Sequence, residues 1–190
     1  MGACRTNAAC AGAAVRTSET VFEGRRFDIQ RRTYEIGGSP HVFEVIVHPG
    51  AAVILPVLDD GRIVLIRNNR VAVGKELLEV PAGVIDPGET PAECAARELA
   101  EETGYRAGKV TPLVSYYSSP GILTEQLHSF LATELTPGPL AHEAGEQIRL
   151  APMALDDALG AIGSGEIIDG KTILTLLYYE RFVRQERSER

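Results

Sequence analysis

Residues 90–104, TPAECAARELAEETG, form a helix whose two ends are marked in the sequence. Thr90 is placed to cap the first turn, Pro91 suits the first helical position, and Glu93 completes a capping box. Gly104 fits the left-handed residue that closes such a helix. Ala92, Ala95, Ala96 and Leu99 share one side of the wheel and need an apolar sheet to lie on. At about 100° per residue, Glu98, Glu101 and Glu102 occupy the other side within one turn. Two arrangements answer their mutual repulsion. In one the face is solvated and Arg97 pairs with Glu101 at i,i+4, offsetting one acid. In the other a hard divalent cation gathers the carboxylate oxygens. Helix geometry alone leaves both open.

The rest of the chain supplies the sheet. FDIQRRTYEI, HVFEVIVH and AAVILPVL are strand-like runs broken at GGSP and HPG. LDDGRIVLIRNNR reads as a hairpin turning at Asp60-Gly61. KELLEVPAG is a further strand closed by Pro81 and Gly83, and VTPLVSYYSSPG and LHSFLATEL follow the helix as two more. Residues 155–162 and 171–185 carry apolar residues at helical spacing, through Ile173, Leu174, Leu177 and Tyr178. Residues 1–20 are small and Ala-rich without periodicity, and read as a tail. Gly2 and Thr6 match an N-myristoylation pattern, for which chance is the stronger reading. The pattern is a mixed α/β domain with antiparallel strands and helices outside, spanning 51–190, with a small β element over 21–50 before it.

Composition narrows the function. The 190 residues carry 26 acids against 19 bases, a net charge of −7, with no basic run. Nucleic acid is therefore not the expected partner, because binding a phosphate backbone needs a basic footprint. No apolar stretch reaches the length of a membrane span. Cys4, Cys10 and Cys94 form no paired framework, so a reducing cytoplasm is expected. Cys94, inside the helix, reads as a packing residue.

Spacing separates the two accounts of the carboxylates. Gly83, five residues, Glu89, seven residues, then Arg97-Glu98-Leu99-Ala100-Glu101-Glu102-Thr103-Gly104-Tyr105 resembles the Nudix hydrolase signature GX5EX7REUXEEXGU at every fixed position. The resemblance implies an α/β/α sandwich with a mixed sheet. It also implies hydrolysis of a nucleoside diphosphate linked to another group. It gives Glu98, Glu101, Glu102 and the Ala82 carbonyl the role of holding Mg²⁺ or Mn²⁺. Arg97 would orient the acids and Glu89 would steady the loop. The underlying chemistry is general: divalent ions neutralise a diphosphate and acidify a bound water.

Pro120, 16 residues past Gly104 (120 − 104), and the SPG…E…FLA run resemble the ADP-ribose pyrophosphatase subgroup. Products would then be AMP and ribose 5-phosphate. GDP-mannose or UDP-glucose remain alternative substrates, since hydrolases of such sugars share much of this stretch. A MutT-like triphosphatase fits less well. A silent nucleotide sensor would be expected to lack a metal glutamate, and none is missing. Within this resemblance Arg67 or Arg70 would hold a phosphate or the terminal ribose. Glu79 would lie near the metals, and Phe27, with Phe22 behind it, would stack on adenine. Each has a structural alternative: Arg67 and Arg70 as solvated strand residues, Glu79 as the partner of one of them, and the phenylalanines as core. The general base would come from the loop HEAGEQIRL, with Glu146 preferred over Glu143 and Glu125 a weaker choice. His128 and His142 read as structural. The closing segment GEIIDGKTILTLLYYERF reads as packing rather than chemistry, and the subgroup implies a homodimer built through its N-terminal strands.

Overall fold

The computed structural model describes residues 14–24, 27–139 and 148–185. The chain divides into two compact units, Met1–His48 with Ser119–Thr124, and Pro49–Ser118 with Glu125–Arg190.

The first unit holds a three-stranded antiparallel meander, β1 (Val15–Glu23), β2 (Asp28–Ile36) and β3 (Ser39–Val47), in that spatial order. Gly37 and Gly38, both at positive φ, form the two-residue turn that joins β2 to β3. Such a turn matches the twist of its flanking strands only with residues that tolerate positive φ. Residues 15–20 belong to β1, which corrects the reading of 1–20 as a tail over that stretch. Pairing with β2 supplies the order that residues without apolar periodicity could not supply alone. The earlier residues, with Cys4, Cys10, Gly2 and Thr6, lie outside the described residues.

The second unit contains two sheets. One is mixed, in the order β7 (Ala82–Val84), β4 (Ala51–Pro56), β9 (Gln126–Pro137), β8 (Tyr105–Tyr117), with β4 and β9 parallel. The other is antiparallel, β10 (Ile148–Met153), β5 (Ile63–Arg70), β6 (Lys75–Glu79). Every residue of β4 is buried, as its unbroken apolar run AAVILP requires of a strand covered on both faces. Alternation along it feeds two clusters. Ala52 and Ile54, with Phe130 and Ala132 of β9, meet Cys94, Ala95 and Leu99 of helix α1 (Pro91–Thr103). Ala51, Val53 and Leu55 join a larger core with Ile63, Leu65, Leu78, and Leu176 of helix α3 (Gly170–Tyr179). Helix α2 (Leu155–Ser164) closes that core through Leu155, Ala158 and Ala161.

Three local expectations are revised. The Asp60-Gly61 turn forms, with Gly61 at φ 84, but β4 and β5 enter different sheets and pair only at Val57 and Ile63. An edge strand, β10, appears where none was expected; its half-exposed pattern and Pro152 give it no clear alternation. The last helix runs from Gly170 to Tyr179 and continues as a π-helical turn over Glu180–Arg184. Among the described residues no helix is long and apolar enough to cross a membrane.

Candidate functional site

The helix caps form as the sequence implies. Thr90 Oγ1 accepts from the Glu93 amide at 3.3 Å, and Glu93 Oε2 accepts from the Thr90 amide at 2.8 Å. Gly104 sits at φ 71. With the apolar side of α1 fixed on β4 and β9, its acidic side faces the segment 82–90. Glu102 is almost completely buried, and its Oε2 accepts from the Ala82 amide at 3.0 Å. Glu98 lies so close to Gly83 that a Cβ added there would overlap its carboxylate. This is a physical reason for glycine at that position of the motif.

Arg97 does more than the i,i+4 pairing assigned to it. Its Nε and Nη2 donate to Glu89 at 2.9 and 3.0 Å, and Nη1 donates to Glu98 at 2.6 Å and Glu101 at 3.0 Å. Nη2 also reaches the Val84 carbonyl at 3.1 Å. One guanidinium therefore serves three carboxylates and the loop backbone, where the sequence reading credited it with one acid. Its hydrogen bonds hold the Glu89 carboxyl down, from the ordinary 4.5 to about 2. The same pairing, with Glu89 the largest contributor, raises the Arg97 pKa further. Among the described residues no three His, Cys, Asp or Glu side chains converge as a ready metal cage, and Arg97 occupies Glu98 and Glu101 together. Cys94 is buried, its thiol directed at the Gly83 and Val84 carbonyls, and burial pushes its pKa up to about 12.

Ala82, Gly83 and Val84 form one edge of a cleft of about 540 Å³. Arg70, Glu125, Asp169 and Lys171 also line it, together with Tyr116 and Tyr117. Glu79, 0% exposed, lies behind and receives Arg70 through Nε at 2.7 Å and Nη2 at 2.8 Å. Of the partners the sequence left open for Glu79, Arg70 is the one it takes. That bidentate pair raises the Arg70 pKa. Lys171 bridges Glu79 and Asp169.

Other expected residues fall elsewhere. Arg67 points to Glu166 at 2.8 Å and Glu76 at 3.9 Å and does not line the cleft. Phe27, 41% exposed, sits near Phe22 in the first unit, with ring centroids 6.4 Å apart. Pro120 belongs to a turn of the same unit, closed by the Ile122 and Leu123 amides on the Ser119 carbonyl. His128 is held by Ser115 Oγ at 2.8 Å. Glu143, Glu146 and His142 lie outside the described residues. Lys171 and Asp169 were missed. The segment DGKT had been assigned to packing, although an Asp-capped helix start carrying a lysine was visible in it.

The chain was compared with known proteins. A family model described as NUDIX domain matches residues 47–174. An ADP-ribose pyrophosphatase of Bacillus subtilis (strain 168) is 36% identical over 85% of this chain and 89% of its own length. A GDP-mannose pyrophosphatase of Citrobacter koseri is 41% identical over 68% of this chain and 72% of its own. Among solved structures, that of an ADP compounds hydrolase aligns with a TM-score of 0.80 and 25% identity, over 92% of this chain and 95% of that one.

Proposed function

This chain belongs to the NUDIX family, and we propose that it hydrolyses the diphosphate of ADP-ribose, with water, to AMP and ribose 5-phosphate. One observation carries the reading. Within a chain 36% identical to an ADP-ribose pyrophosphatase, the acids Glu98 and Glu102 are pressed against the Ala82–Gly83 backbone at the edge of a cleft that also presents Arg70.

The donor set is hard oxygen throughout, which fits a divalent ion such as Mg²⁺ or Mn²⁺. Glu98, Glu101, Glu102 and the Ala82 carbonyl would hold it, and Arg97 keeps the acids oriented. When bound, the ion supplies charge neutralisation of the diphosphate and a more acidic water. The chain's own residues do the rest. Arg70, fixed by buried Glu79, offers a guanidinium to the phosphate oxygens. Glu146, or Glu143 beside it, takes the proton of the attacking water. The anhydride oxygen then leaves with the second phosphate. Phe27 stacks on the adenine, and the Pro120 turn contributes to substrate choice. Arg67, held by Glu166, has the weaker claim to a phosphate contact.

The N-terminal meander leaves Val21, Phe22, Ile36, Val42 and Phe43 exposed. An apolar surface of this kind supports burial against a second copy, so the protein is a homodimer through this element. Its proposed setting is the cytoplasm. The 41% identity to a GDP-mannose pyrophosphatase favours a second reading, hydrolysis of that nucleotide sugar. Incubation with Mg²⁺ and, separately, ADP-ribose, GDP-mannose and UDP-glucose decides between them. The proposal predicts the highest kcat/KM for ADP-ribose; a higher value for GDP-mannose would replace it with the second reading.

A further inference from the structure

We propose that Lys171 is a further substrate-binding residue, the second arm of a cationic clamp that, with Arg70, takes the phosphoryl oxygens of the bound diphosphate. The inference rests on the nucleotide-diphosphate reading of the cleft and names a contact that reading does not contain.

Four charged groups meet at this wall. Glu79 is fully buried and accepts three hydrogen bonds, two from Arg70 and one from Lys171. Asp169 Oδ2 also accepts three: from Lys171 Nζ at 2.9 Å, the Thr172 amide at 3.1 Å and Thr172 Oγ1 at 2.6 Å. Both carboxylates are thus well supplied with donors. The cations are not used up. An ammonium has three N–H groups and Lys171 spends two; a guanidinium has five, and the two on Arg70 Nη1 make no hydrogen bond to the described residues. Arg70 and Lys171 both line the cleft. What this wall presents to an incoming molecule is therefore spare donors backed by satisfied acceptors, which is the complement of an oxyanion.

Neutralising Glu79 does not by itself require Lys171. A buried carboxylate must not be left unpaired, but the bidentate Arg70 already supplies one full countercharge. The ammonium is also held in place. Its side chain is 13% exposed, and it stands on the first turn of α3, whose Asp169 cap is anchored through Thr172. Thr172 Oγ1 in turn accepts from the Val80 amide at 2.9 Å, two residues before Ala82. The clamp and the loop that carries the motif glycine are thus parts of one hydrogen-bonded unit. A fork and a point charge side by side suit the several oxygens of a diphosphate better than a single carboxylate or a neutral sugar.

The test is calorimetric titration of the full chain with Mg²⁺ and the α,β-methylene analogues of ADP-ribose and GDP-mannose, with thermal melts alongside. Lys171→Met is expected to weaken binding about 10- to 100-fold, the loss of one charge-assisted hydrogen bond. Lys171→Arg should recover most of that loss. The double variant Glu79→Gln/Lys171→Met separates contact from charge balance: it should recover melting temperature and not affinity. Unchanged affinity in Lys171→Met, or affinity regained in the double variant, overturns the proposal. So does a wild type that binds neither analogue. A wild type that prefers the GDP-mannose analogue while keeping the Lys171 dependence overturns only the ADP-ribose assignment.

Discussion

Arg97→Gln is the perturbation the site geometry constrains most. Arg97 makes four charge-assisted hydrogen bonds to Glu89, Glu98 and Glu101, whose side chains are no more than a third exposed. Such bonds contribute about 1.5–3 kcal/mol each where buried and much less where water competes. A glutamine keeps one of them and leaves three acids without their shared countercharge, for a net loss of about 3 kcal/mol. For a chain of this size that is a fall in melting temperature of about 6–12 °C. The measurement is thermal unfolding followed by circular dichroism in chelator. Repeated with saturating Mg²⁺, the variant should regain at least half the loss, because a cation at about 100 times its Kd contributes about 2.7 kcal/mol. In wild type the ion has Arg97 to displace from Glu98 and Glu101, so its gain should be smaller. A melting temperature within about 2 °C of wild type in chelator would refute the role of Arg97 as hub. Failure of Mg²⁺ to restore the variant would refute the claim that these carboxylates take a cation.

The remaining predictions concern acid and glycine. Glu89 is about 2 when folded against an ordinary 4.5, so its stabilisation is present above 4.5 and is lost as pH falls toward 2. Between about pH 5 and pH 3 wild type should lose about 1–2 kcal/mol more than Glu89→Gln, after allowance for solvent screening. Urea titrations at both pH values read this, and parallel losses would contradict it. Gly83→Ala places a methyl group where the Glu98 carboxylate lies. That carboxylate is the free end of a flexible side chain, so stability should change by roughly 0.5 kcal/mol or less. Displacing it should lower kcat/KM on the order of 100-fold. A Gly83→Ala enzyme with wild-type kinetics would show that the contact is incidental.

Legibility followed the range of the interaction. The ends of α1 were readable because Thr90, Pro91, Glu93 and Gly104 act on atoms three or four residues away. Strand β4 was readable because its unbroken apolar run is itself the signal of a doubly covered strand. Strand β1 and strand β10 were not, since an exposed strand and a half-exposed edge strand take their order from partners that spacing does not encode. The same limit divided the site. The glutamates of α1 could be read from one turn of helix. The reach of Arg97 to Glu89 depends on how a loop folds back over the helix, which a helical wheel omits. Glu79 and Arg70 share a hairpin and were considered together, whereas Lys171 meets Glu79 across 92 residues of sequence.

The central claim is that the acids of α1 drive hydrolysis of a nucleotide diphosphate, and product analysis of ADP-ribose with Mg²⁺ tests it most directly in wild type and Glu102→Gln. The account predicts AMP and ribose 5-phosphate in equal amounts from wild type, and turnover lowered about 100- to 1,000-fold in a variant that still folds. Release of no AMP by the wild type, or undiminished release by Glu102→Gln, would contradict it.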